Sequence, residues 1–213
     1  KLNNKYMKSY HESVSESHPV DKLQDIVKRL RNKTEYKDMC RTENNLLNKC
    51  ILCKYYMSAQ EWATEMEQFI KKQLKINNKI NEISGDGNKN NKNIEIKVSL
   101  GSKDGQFNIV QIRPDHDIDY YLFVGYNLFD EDLGKAYVLY IPSEDLYKLL
   151  PQYGGYSHGT KRKLDEITPD NIKGRNCEYS LRANPNKKTS TKTRKLWNEL
   201  KKYEIEFTPE MVG

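Results

Sequence analysis

The chain has 213 residues, with 36 Lys+Arg against 30 Asp+Glu for a net charge of +6, and 36% of its residues are hydrophobic. That supports one substantial core under a heavily charged surface, and the modest basic excess suits an anionic partner such as nucleic acid. No apolar run approaches the ~20 residues of a membrane span, so the expectation is a soluble, cytoplasmic protein with no membrane partner.

Residues 1–20 read as a polar arm. "VDKLQDIVKRLRNK" (20–33) places Leu23, Ile26, Val27 and Leu30 at helical spacing, and a second helix is expected over 43–55. A third starts at Ser58-Ala59-Gln60-Glu61, a capping box, and carries Trp62, Ala63, Met66, Phe69, Ile70 and Leu74 as one apolar stripe. After an Asn-rich loop the period falls to two: Ile94, Ile96, Val98 and Leu100 share one face, Glu95, Lys97 and Ser99 the other. Asp104-Gly105 is a hairpin turn signal. The return strand "QFNIVQIR" ends at Pro114, with Phe107, Ile109, Gln111 and Arg113 expected on one face. Strands "DYYLFVGYNLF" and "KAYVLYIP" follow, with the polar turn "DEDLGK" between them, then a short helix opened by Ser143 and stopped near Pro151. Residues 152–193 are rich in Gly, Lys, Arg, Asn and Thr, and a last helix is expected over 193–203. The order of elements gives an α+β chain. It reads as an N-terminal helical region (1–57), a core (58–150) and a basic, loop-rich segment with a C-terminal helix (151–213), together one compact domain.

Four cysteines are present. Cys40, Cys50 and Cys53 offer three ligands for a structural zinc or iron–sulfur centre, with His158 or Cys177 as the fourth. Their apolar helical neighbours favour the other account, in which the thiols are reduced and pack as small hydrophobes.

The chemistry concentrates in "GDGNKNNKNIEIKVSL" (85–100). Glu95 and Lys97 at i and i+2 on a strand point to one side of the sheet, and Asp86 sits in a glycine turn that can bend it back towards them. Phosphodiester hydrolysis needs an activated water and neutralised phosphate charge, which carboxylates holding Mg²⁺ supply; a neighbouring lysine can orient the water or stabilise developing negative charge. The string Asp86, variable loop, Glu95-x-Lys97 resembles the motif of the PD-(D/E)XK nuclease superfamily, and within it the type II restriction endonucleases. Gly85 stands where that motif often has Pro. The bare string is common in lysine-rich chains; the preceding amphipathic helix and the alternating strand give it weight. The resemblance covers roughly residues 58–141. It implies a restriction-endonuclease-like core, a helix followed by an antiparallel-start β-meander with flanking helices. It also implies Mg²⁺ (or Mn²⁺) held by Asp86 and Glu95, Lys97 beside them, and a further helix glutamate. Of Glu61, Glu65 and Glu67, the first is explained by the capping box, and Glu67 is chosen over Glu65. Gln111 is a further catalytic candidate, and His116, in a polar turn, could be a second proton carrier but reads first as an exposed loop histidine.

Sequence-specific cleavage needs groups that reach base edges and phosphates. Ser99, Lys103 and Arg113 flank the catalytic strand. Tyr153, Ser157, His158, Lys161, Arg162, Arg182, Asn184, Asn186, Lys187 and Lys188 fill the basic segment, expected as loops over a DNA-facing surface. The implied activity is Mg²⁺-dependent, site-specific cleavage of double-stranded DNA by a homodimer. The alternatives are a structure-specific nuclease, such as a Holliday-junction resolvase or repair nickase, and a DNA-binding module without catalysis.

Overall fold

The computed structural model describes residues 40–102, 104–127, 134–157, 167–187 and 191–213. The arm, the helix expected over 20–33 and most of the 130–135 turn lie outside them. The chain forms two compact units, one of residues up to 66 with 126–136, the other of residues 67–125 with 137–213.

In the first unit, α1 (Leu46–Tyr56) is capped by Asn45, whose side chain accepts the Asn48 N–H. Helix α2 (Ala59–Leu74) runs from the first unit into the second. Its capping box forms as the sequence implies: Ser58 N–H donates to Glu61 Oε2 at 2.9 Å and Glu61 N–H to Ser58 Oγ at 3.3 Å. The stripe Trp62, Met66, Phe69, Ile70 and Leu74 is buried, while Ala63 is exposed at its margin. Trp62 Nε1 donates to the Cys50 carbonyl at 3.2 Å, and Lys54 lies 4.9 Å over its ring.

The second unit holds most of the strands. β1 (Asn77–Asn78), β2 (Gly87–Lys89), β3 (Lys92–Leu100), β5 (Tyr120–Asn127) and β6 (Lys135–Pro142) form one sheet in the order β1-β2-β3-β5-β6. β4 (Phe107–Ile112), β7 (Gly155–Tyr156) and β8 (Tyr179–Ala183) form another, ordered β4-β8-β7. Helices α3 (Ser143–Tyr153) and α4 (Lys192–Leu200) complete it. The core joins Phe107, Tyr121, Phe123, Leu150, Leu181 and Trp197, with the Phe107 ring 5.5 Å from both Phe123 and Trp197.

The mixed α+β class matches the sequence, but the meander does not form. The chain does reverse at Asp104-Gly105, with Gly105 N–H donating to Ser102 O at 2.8 Å and Ser102 N–H to Gln106 O at 3.0 Å. Instead of returning along β3, β4 leaves for the second sheet and pairs with β8, Phe107 against Ala183 and Ile109 against Leu181. Burial explains the partition. β3 is enclosed on both faces at Ile94, Glu95 and Ile96, and its open edge takes β5, buried from Tyr121 to Asn127. β4 alternates buried and exposed residues, which suits a sheet with one open face.

Three further differences follow from local chemistry. Pro151 lies inside α3 rather than stopping it; the helix ends at Tyr153, where Gly154 N–H donates to Leu150 O at 2.8 Å. β8, inside the segment read as surface loops, buries Tyr179, Leu181 and Ala183 at the centre of its sheet. The Asn-rich stretch is a two-residue hairpin. Lys89 pairs Lys92, and Asn90 and Asn91 take φ of 51° and 60°, the left-handed pair that a tight antiparallel turn needs.

Gly85 has φ +73°, and a Cβ there would stand 2.7 Å from the Ile94 carbonyl oxygen. Gly85→Ala is therefore expected to destabilise the fold by roughly 2 kcal/mol or more; urea denaturation with an unchanged midpoint would contradict this packing.

Candidate functional site

Three elements deliver an acidic cluster in the second unit. The β2–β3 register pairs Gly87 with Ile94, which brings Asp86 opposite Glu95. Asp86 N–H donates to the Ile94 carbonyl at 2.9 Å, and Asp86 Oδ2 accepts the Ile96 N–H at 2.8 Å. Asp86 is thus fixed by the backbone of the strand that carries Glu95 and Lys97. From α2, Lys71 donates through Nζ to the Asp86 carbonyl at 2.8 Å and stands 3.4 Å from Glu67 Oε1, one helical turn back. A cleft of about 420 Å³ opens here, lined by Glu67, Gln68, Lys71, Asn78, Lys79 and Asp86.

Lys97 Nζ donates to Glu95 Oε1 at 2.6 Å, with the side chains only 15% and 7% exposed. Taking two charges this far from water is costly, and a hydrophobic pair would fill the space more cheaply. Burial raises the Asp86 carboxyl, the Glu95 and then Glu67 carboxylates add to it, and the Ile96 N–H and Lys97 oppose them, leaving it at about 6. Crowded carboxylates of this kind present hard oxygen donors that a divalent cation would relieve. No group of three or more His, Cys, Asp or Glu side chains closes into a metal cage among the described residues. The Asp86–Glu95 pair fits a Mg²⁺-like ion, which takes one or two carboxylates and keeps several waters.

The structure brings together Asp86, Glu95, Lys97 and Glu67. Glu65 turns away to an ion pair with Lys49 at 2.6 Å. Gln111 does not share a face with Phe107 and Ile109. It sits in a β-bulge at φ 55°, exposed, and Ile112 takes the buried position instead. Its N–H donates to Ser157 Oγ at 3.3 Å. Arg113 is held by Glu178 at 2.6 Å, and His116 lies in the turn after β4 with its N–H on the Arg113 carbonyl.

Among the DNA-contact candidates, Lys103, His158, Lys161, Arg162 and Lys188 lie outside the described residues. Three others are engaged within the fold. Ser99 Oγ accepts the Asn108 N–H, Ser157 Oγ donates to Tyr179 O at 2.7 Å, and the buried Asn184 accepts the N–H groups of Asn186 and Lys187 and donates to Asp104 O. Tyr153 packs against the core margin. Arg182, Asn186 and Lys187 are exposed, the last 3.1 Å from Asp104.

Cys40, Cys50 and Cys53 are buried free thiols in the first unit. A hydrogen bond with Cys40, and then burial, raise the Cys53 thiol; burial raises Cys50. Cys177, in the second unit, donates to the Arg175 carbonyl at 3.5 Å. Lys71 was not among the expected site residues, although its i,i+4 spacing from Glu67 was a usable signal. Compared with known protein families, curated proteins and solved structures, the chain matches none.

The Asp86 carboxyl stands above its ordinary 3.8 when folded, so its ionisation opposes folding. The favourable balance is complete below about pH 4 and is lost as pH rises through about 6. In the presence of a chelator, Asp86→Asn should therefore raise stability by on the order of 1 kcal/mol at pH 8 and change little at pH 4. Denaturation curves at the two pH values check this, and a loss of stability at pH 8 would contradict it. Lys71→Met removes the cation from the Asp86 carbonyl and Glu67, and should cost about 1–3 kcal/mol in the same measurement.

Proposed function

We propose that this chain is a Mg²⁺-dependent endonuclease of the PD-(D/E)XK kind that hydrolyses phosphodiester bonds of double-stranded DNA at specific sites, as a type II restriction enzyme does in the cytoplasm. The observation that carries the proposal is the cross-strand placement of Asp86 against Glu95, with the Lys97 ammonium 2.6 Å from the Glu95 carboxylate. Two acids and a lysine that converge, with Asp86 lining an open cleft, are the parts that phosphodiester hydrolysis requires.

Asp86 and Glu95 would hold the cation, which when bound lowers the pKa of its water and draws charge from the phosphate. Glu67, 3.4 Å from Lys71, would accept a hydrogen bond from a metal-bound water. Lys97 Nζ offers donors that orient the attacking water and stabilise negative charge developing on the phosphate oxygens. Lys71 holds the Asp86 main chain through its carbonyl. Each site severs one strand, so a double-strand break pairs two chains on the duplex, and the proposal includes a homodimer.

The test is incubation of the purified chain with Mg²⁺ and long linear DNA. Discrete fragments are expected, and Glu95→Ala or Lys97→Ala should slow their appearance by at least roughly 100-fold. Asp86→Ala should abolish Mn²⁺ binding measured by calorimetry. A smear would replace site-specific cutting with non-specific cutting, and cleavage confined to branched DNA would favour a structure-specific nuclease. Intact DNA with the wild-type chain, or variants that cut at the wild-type rate, would overturn the proposal.

A further inference from the structure

The sheet β4-β8-β7 has a covered face and an open one. Phe107, Ile109, Ile112, Tyr179, Leu181 and Ala183 point into the core. The opposite face carries Asn108, Val110, Gln111, Ser180 and Arg182, with Gly155 on the edge strand beside Ser180. Asn108 and Arg182 are direct cross-strand partners, so their side chains rise together about 5 Å apart. Both are exposed, and Arg182 makes no ion pair among the described residues. Val110 is 46% exposed, unusual for a branched apolar residue on a strand. Between Ile109 and Ile112 two residues of β4 oppose one of β8, and this bulge turns Val110 and Gln111 outward together. Among the described residues a Cβ on Gly155 would meet nothing within 4 Å.

The chemistry of this face is that of a base reader. A guanidinium fork matches the guanine edge, Asn and Gln amides match adenine, and an exposed valine suits the thymine methyl. β7 pairs only with Tyr179 and Ser180, so from Leu181 onward β8 and β4 run as a two-stranded ribbon, which fits the width of the major groove. Among the described residues Arg182 has no acid to neutralise it, and the chain carries a net charge of +6, which complements a polyanion. None of the residues on the face is aromatic, so it lacks the stacking platform that single strands use.

Position supports the same partner. Asn108 N–H donates to Ser99 Oγ at 3.2 Å, and Ser99 follows Lys97 by two residues on the same side of β3. Two residues of strand span about 7 Å, close to two base-pair steps of a duplex. We propose that the open face of β4 and β8, through Asn108, Gln111 and Arg182, reads base edges in the major groove a few base pairs from the scissile phosphate. The proposal rests on the nuclease reading for its placement beside Lys97. It moves sequence recognition from the basic loops to a second sheet whose strand β4 follows β3 in the chain and is tied to it through Asn108 and Ser99.

The test is selection of duplexes from a randomised library in Ca²⁺, with the wild-type chain and with Arg182→Ala, Asn108→Ala and Gln111→Ala. The wild type should enrich a defined sequence, and Arg182→Ala should lose roughly 10- to 100-fold in affinity for it and change the consensus at one or two base pairs. Arg182→Lys, which keeps the charge but not the fork, should show the same change of consensus. Thermal denaturation checks that the exposed substitutions leave the fold intact. An unaltered consensus in all three alanine variants, or no enriched duplex with the wild type, overturns the base-reading face. Cleavage in Mg²⁺ is scored separately: a chain that selects DNA through this face but never cuts it sinks the nuclease proposal alone.

Discussion

The antiparallel register of β2 on β3 is the constraint from which the site follows. Strand side chains alternate, so a slip of one residue would carry Glu95 and Lys97 to the opposite face and leave Asp86 facing Ile94 or Ile96. Two local features hold the register. Asn90 and Asn91 make a turn with no spare residue, and Gly85 and Gly87 let the chain approach Ile94 and β1 where a side chain would collide. The backbone hydrogen bonds of Asp86 then make its side-chain position part of the sheet rather than a property of a loop.

Around that frame the protein accepts unfavourable electrostatics. Glu95 and Lys97 are buried as a pair, Glu67 and Asp86 share the neighbourhood, and Lys71 is 8% exposed while bound to a main-chain carbonyl. The core of the same unit, by contrast, is filled by aromatic and aliphatic side chains such as Phe107, Phe123, Leu181 and Trp197. Stability forgone at one place in an otherwise well-packed unit is what the proposed nuclease site would require.

Much of this was legible in the sequence, for reasons that differ from element to element. The capping box at Ser58 and Glu61 and the stripe from Trp62 to Leu74 are local patterns, and they form as written. So does the alternation that puts Glu95 and Lys97 on one side of β3. What failed were inferences about partners. Asp104-Gly105 marks a reversal but not which strand pairs with which, and β4 finds β8 more than sixty residues later. The bulge at Gln111 breaks a two-residue period that looked regular, because positive φ at a glutamine leaves no signature in a string of letters. Asn184 and Ser157 are polar types that suit DNA contacts equally well, yet their hydrogen bonds close a turn and clasp an edge strand. Composition cannot separate a polar side chain that faces solvent from one that replaces a missing backbone partner.

The hydrogen bond from Ile96 N–H to Asp86 Oδ2 has a stereochemical consequence. With one oxygen engaged by the strand, the carboxylate is no longer a symmetric, freely turning group. It has one oxygen to offer outward, along a direction set by the main chain. A cation bound there, as proposed, would be met by that one oxygen, from a side the sheet sets before it arrives.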